Sequence, residues 1–128
     1  MALATSLQRY FERHGVQVTS HDHAPGMSLN DVVTIFGLDP EQIVIPVLLQ
    51  SEKKALLMAV VPLSRLFDVE RVNALLRRQF SRVDTKTTSS IFYDAEPGAE
   101  PPFGEAYRVP CLVDRSLLNL PRVYFRGG

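Results

Sequence analysis

Apolar residues near the start of the chain recur at helical spacing. Leu7, Tyr10, Phe11 and His14 fall three or four positions apart and so share one helix face, with Thr5 or Ser6 as a cap and Gly15 as a stop. Val16 and Val18 then alternate with polar neighbours, which predicts a short strand leading into a loop at 21–25. A second helix is predicted from Ser28, whose hydroxyl can cap the amide of Asp31 while Asp31 reaches back. Val32, Val33, Ile35 and Phe36 form its apolar face, and Gly37 ends it.

The period changes after position 42. Residues 43–49 and 55–61 are continuous apolar or β-branched runs joined by Gln50-Ser51-Glu52-Lys53-Lys54, which predicts a hairpin at the centre of a sheet with both faces covered. Pro46 cannot donate to a ladder, so the first strand is either bulged there or turns its amide side away from a partner. Asp68 caps a third predicted helix with Val69, Val72, Leu75 and Leu76 inward and Arg71, Arg77 and Arg78 outward. Short strands are expected at 80–83, 109–113 and 122–125. Strands and helices intermix without regular βαβ alternation, so the expected class is α/β in the mixed α+β sense, a mixed twisted sheet flanked by helices.

Composition bounds this picture without changing it. The 128 residues make one ordinary domain, and 45% hydrophobic residues are enough to close one core. The 14 basic and 14 acidic side chains cancel, so any charged partner must be met by a local patch. One cysteine cannot build a disulfide framework, which fits a reducing compartment, expected to be the cytoplasm. The longest apolar run, 55–62, is far short of the roughly 20 residues that span a bilayer, so no membrane segment is expected. The ending at Gly127-Gly128, directly after an apparent strand, predicts a single domain over 1–128 truncated at its C-terminus, with further domains of a longer chain as expected partners.

Each candidate for chemistry has a plain alternative. His21 and His23 lie two apart and could join His14 on a metal, but no carboxylate or cysteine completes a known spacing, and no metal is expected. Cys111 sits in an apolar strand run and reads as a buried structural thiol rather than a nucleophile. Asp114 ends that run, where it accepts amides of the Ser116 turn or faces a pocket at the sheet edge; the turn is the stronger reading. Arg71, Arg78 and Arg82 fall near one helical face and either track phosphates or simply stay solvated. The segment Gly98-Ala99-Glu100-Pro101-Pro102-Phe103-Gly104 combines fixed prolines with permissive glycines, so it can present backbone dipoles to a ligand. A ligand pocket is expected between that loop and the strand around Ile45.

Seven segments in order resemble the YbaK/ProX family, the prolyl-tRNA-synthetase-associated aminoacyl-tRNA deacylase domains. They are Asp22-His23-Ala24-Pro25, Phe36-Gly37-Leu38, Asp39-Pro40-Glu41-Gln42, Val60-Val61-Pro62, the glycine-x-x-x-proline loop from Gly98 to Pro102 with Gly104, Pro110-Cys111-Leu112-Val113-Asp114, and Val123-Tyr124-Phe125-Arg126-Gly127-Gly128. The resemblance implies hydrolysis of the ester of mischarged tRNA without a cofactor, the partner being aminoacyl-tRNA or its aminoacyl end. It implies that Gly98 and Pro102 frame the attacking water and the ester carbonyl, and that His23, Ile45, Phe103, Gly104 and Asp114 bound the substrate. Arg71, Arg78 and Arg82 are the candidate nucleic-acid contacts. At Ile45-Pro46 the family pattern has lysine then threonine. Loss of that ammonium implies impaired editing, with a non-catalytic ligand- or tRNA-binding regulatory domain as the alternative.

Overall fold

The computed structural model describes residues 3–19 and 27–127. Its centre is the hairpin of β1 (Val44–Ser51) and β2 (Leu56–Pro62), antiparallel in the register that pairs Val47 with Ala59. Ser51 closes the turn, its hydroxyl accepting the amides of Lys53 and Ala55. β3 (Phe80–Arg82) pairs antiparallel with the far end of β1, and β4 (Cys111–Val113) pairs parallel with β2, giving a mixed sheet in the order β3-β1-β2-β4. The outer edge of β1 meets β3 only at residues 49–51, while Tyr124 bridges Ile43 in parallel at the other end. Pro46 lies between these two contacts, on the stretch of edge where no amide is asked to join a ladder.

Strand alternation sends Val47, Leu49, Leu57, Ala59 and Val61 to one face, where Val72 of α3 (Val69–Leu76) closes over them with Ile45, Phe67 and Val69 at the margin. Val44, Leu48, Met58 and Val60 point to the other face and meet Phe92, Val109 and Leu117. A third cluster joins Leu7 and Phe11 of α1 (Thr5–His14) to Phe103 and Phe125. Full burial of side chains such as Leu49 and Met58 stabilises by about 2–3 kcal/mol each, which is why this hairpin is the frame.

Several expectations are corrected. Residues 16–19 form no strand, and Val16 and Val18 stay partly exposed. No side chain caps α1; its N-cap is Ala4, and the Ser6 amide is taken by Asp94 instead. α2 (Leu29–Phe36) has its Ser28 cap and its left-handed Gly37, yet none of its residues is buried and Ile35 is 66% exposed. On α3 only Val72 is buried, with Leu75 70% exposed. Helical periodicity says which side chains share a face, not that a partner covers it. The expected strand at 122–125 is only the single bridge at Tyr124. A fourth helix, α4 (Thr85–Ile91), went unpredicted: Thr and Ser are weak helix formers, and the signal that starts it is Asp84, whose carboxylate caps the Thr87 amide.

Candidate functional site

Phe92, almost fully buried, anchors the start of the segment that carries the glycines and prolines. Two residues on, Asp94 accepts the Ser6 amide at 2.7 Å and the Tyr107 hydroxyl at 2.8 Å, fastening the segment to α1 and to the 3-10 turn Gly104–Tyr107. Partial burial opposes ionisation of Asp94, but these bonds outweigh it and hold its carboxyl below the usual range. Burial, and then Asp94, push the Tyr107 phenol above its ordinary value.

Gly98 has φ +86°, a conformation that favours glycine. Its N–H donates to Glu100 Oε1 at 3.1 Å, and its carbonyl accepts Arg126 Nη1 at 3.0 Å. Ala99 N–H donates to the Glu96 carbonyl, and Pro101 and Pro102 are buried. The loop is therefore a set turn with both polar groups of Gly98 engaged by side chains.

Two hollows flank it. The larger, about 660 Å³, lies between Pro102-Phe103-Gly104, the exposed edge of β4 and the sheet residues Val44 and Val60. Its floor is apolar. Polar groups stand at its wall: Tyr10, whose hydroxyl donates to Glu105 Oε2 at 3.0 Å, Arg108 and Cys111. Burial, then the Glu105 carboxylate, raise the Tyr10 phenol. Gly104 is required there, because a Cβ would collide with the carbonyl oxygen of Val109. The smaller hollow, about 180 Å³, separates Glu100 from Pro46 and Leu48, with Arg82, Thr88 and Phe92 around it.

The residues expected to form the site are only partly gathered. Pro102, Phe103 and Gly104 line the larger hollow, whereas Gly98 faces Arg126 and Glu100. Ile45 lines neither hollow: strand alternation turns it to the α3 side with Phe67, and the residue facing the loop is Pro46. Asp114 follows the turn reading; both the amide and the hydroxyl of Ser116 donate to it, and the hydroxyl chiefly lowers its pKa. His23, with His21, lies outside the described residues. His14 is exposed and packs against Tyr10, ring centroids 4.5 Å apart and planes tilted by 45°. Cys111 is corrected: it is exposed, because period two on an edge strand points Cys111 and Val113 at the hollow and only Leu112 at the core. Arg71, Arg78 and Arg82 are all exposed but look to different neighbours: Arg71 lies near Asp114, Arg78 near Glu52, and Arg82 5.1 Å over the Phe67 ring.

Tyr10, Glu105 and Arg126 carry polar contacts that the sequence did not announce. Tyr10 belongs to the apolar face predicted for the first helix, and neither Glu105 nor Arg126 stands in a local pattern that marks a polar contact. Among the described residues no helix is long and apolar enough to cross a membrane, and no group of three or more His, Cys, Asp or Glu is placed to hold a metal ion.

Residues 23–128 match the family model of the aminoacyl-tRNA editing domain. No curated protein matches the chain. Among solved structures, one described as a candidate trans-editing enzyme for prolyl tRNA synthetase superposes with a TM-score of 0.77 at 21% identity, covering 98% of this chain and 80% of that one. The hypothetical protein APE2540 superposes with a TM-score of 0.84 at 17% identity, covering 96% and 82%. A scaffold from computational epitope backbone grafting gives 0.74 at 21% identity, covering 98% and 79%. At these identities the structural likenesses establish the fold, a mixed sheet flanked by helices.

Proposed function

The chain belongs to the aminoacyl-tRNA editing domain family, and from that premise we propose that it hydrolyses the ester of a mischarged aminoacyl-tRNA at the 98–102 loop, at a reduced rate. The observation that carries this reading is the junction of a rigid glycine-proline loop with an open apolar hollow large enough for an aminoacyl group.

Hydrolysis adds the oxygen of water to the ester carbonyl carbon, collects negative charge on the carbonyl oxygen, and breaks the bond from that carbon to the ribose oxygen. A proton of the water passes to the departing ribose oxygen, which leaves as the free hydroxyl. Backbone dipoles fixed beforehand stabilise such charge without reorganising, so little side-chain chemistry is needed. In this reading Gly98 and Pro102 frame the water and carbonyl. The Gly98 amide is held by the Glu100 carboxylate, an anion that a developing oxyanion can replace. Phe103 and Gly104 receive the aminoacyl side chain, His23 contributes to binding, and Arg71, Arg78 and Arg82 meet phosphates. We infer the reduced rate from residue type alone at position 45, isoleucine where the family pattern has lysine.

The test is deacylation of a panel of mischarged tRNAs. Turnover above buffer for at least one, lowered about 100-fold by Gly98→Ala, is expected; no turnover on any would sink the reading. A second reading, a non-catalytic binding module that regulates a longer protein, draws support from Asp114, whose carboxylate is committed to Ser116, and from the direction of Ile45. Calorimetric binding of a non-hydrolysable aminoacyl-adenosine without any turnover would select it.

A further inference from the structure

Arg126 is bound in an unusual way for a side chain near the end of a domain. Its Nη1 donates to the carbonyl of Gly98 at 3.0 Å, and its Nη2 donates to the carbonyl of Met27 at 2.6 Å. One guanidinium thereby joins the glycine-proline loop to the chain entering α2, partners 28 and 99 positions away in sequence. Its Nε is buried and finds no hydrogen-bond partner among the described residues. Leaving a buried donor unpaired is costly, so the group is held by its two carbonyls despite an unmade bond rather than by full satisfaction.

Register adds a second observation. Tyr124 bridges Ile43 in parallel, its amide donating to the Gln42 carbonyl and its carbonyl accepting the Val44 amide. Two residues further along the two parallel chains stand Ile45 and Arg126. The same closing segment that carries Arg126 is thus tied to the start of β1 by main-chain bonds.

We propose that Arg126 is a positioning residue of the editing site: it fixes the spacing between the Gly98 loop and the Met27 segment. The proposal rests on the editing reading for its consequence, but not for its geometry. A planar fork can serve two carbonyls at once, and a compact ammonium cannot hold both at the same spacing.

The experiment is amide hydrogen exchange on the wild-type chain, Arg126→Ala and Arg126→Lys, followed by deacylation kinetics on the same three proteins. The Ala99 amide, bonded to Glu96, reads the loop, and the Asp31 amide, bonded to Ser28, reads the start of α2; Met58 and Val83 read the sheet. Arg126→Ala is expected to speed exchange at Ala99 and Asp31 roughly ten-fold with the sheet amides unchanged, and Arg126→Lys to recover only part. In kinetics kcat falls about 100-fold in Arg126→Ala with KM little changed, the cost of a misplaced loop. Unchanged exchange at both reporters, or full recovery by lysine, would overturn the proposal. Faster exchange in a protein whose wild type deacylates nothing would sink the editing reading and leave the positioning role standing.

Discussion

The two faces of the central hairpin are built from alternate residues of the same two strands, yet they end differently. On the α3 side Val47, Leu49, Ala59 and Val61 meet Val72, and the layer closes. On the other side Leu48 and Met58 are covered by Phe92, while Val44 and Val60 look into the large hollow beside Gly104 and β4. Continuous apolar strands require cover on both faces, but that requirement does not fix how completely each face is closed. A site can therefore sit on a sheet whose sequence reads as pure core.

The strongest way to break the comparison is to truncate one residue on each side. Leu49→Ala, on the closed face, is expected to cost about 3–5 kcal/mol in urea unfolding, whereas Leu118→Ala, 69% exposed on the wall of the hollow, is expected to cost less than about 0.5 kcal/mol. Equal losses would mean that the hollow is closed in solution. Gly104→Ala comes next, because the added carbon meets the Val109 backbone; it is expected to cost about 2–3 kcal/mol and to narrow the hollow, read as weaker binding of an aminoacyl-adenosine.

A smaller effect should follow pH. Asp94 and Asp114 both have depressed carboxyl values, so the stability they contribute is present above the unfolded value near ~4 and is lost as pH falls through the folded values. The urea midpoint is expected to drop below about pH 4, and Asp94→Asn should flatten that drop. The smallest effect concerns the arginines. Each Arg→Ala change at 71, 78 or 82 should leave the unfolding midpoint nearly unmoved and reduce the salt slope of tRNA binding by about one.

Much of the frame was legible because its signals are local and redundant. The hairpin announced itself by two apolar runs around a polar turn, α2 and α3 by Ser28 and Asp68 as caps, and the Asp114 turn by Ser116 two residues on. The site was less legible because it is assembled by contacts between distant segments. Asp94 joins Ser6 across 88 positions and Arg126 joins Met27 across 99, and no periodicity encodes either. The direction of Ile45 and the exposure of Cys111 were missed for a related reason: each depends on which face of a strand finds cover, and an unbroken apolar run is silent on that.

The parallel pairing of β2 with β4 also sets a timetable for a ribosome. Met58 waits for Cys111, 53 residues later, to complete its side of the sheet. At cellular synthesis rates that is roughly 3–10 s. Throughout that interval the nascent hairpin offers an unpaired, strongly apolar edge, the kind of surface on which incomplete sheets associate.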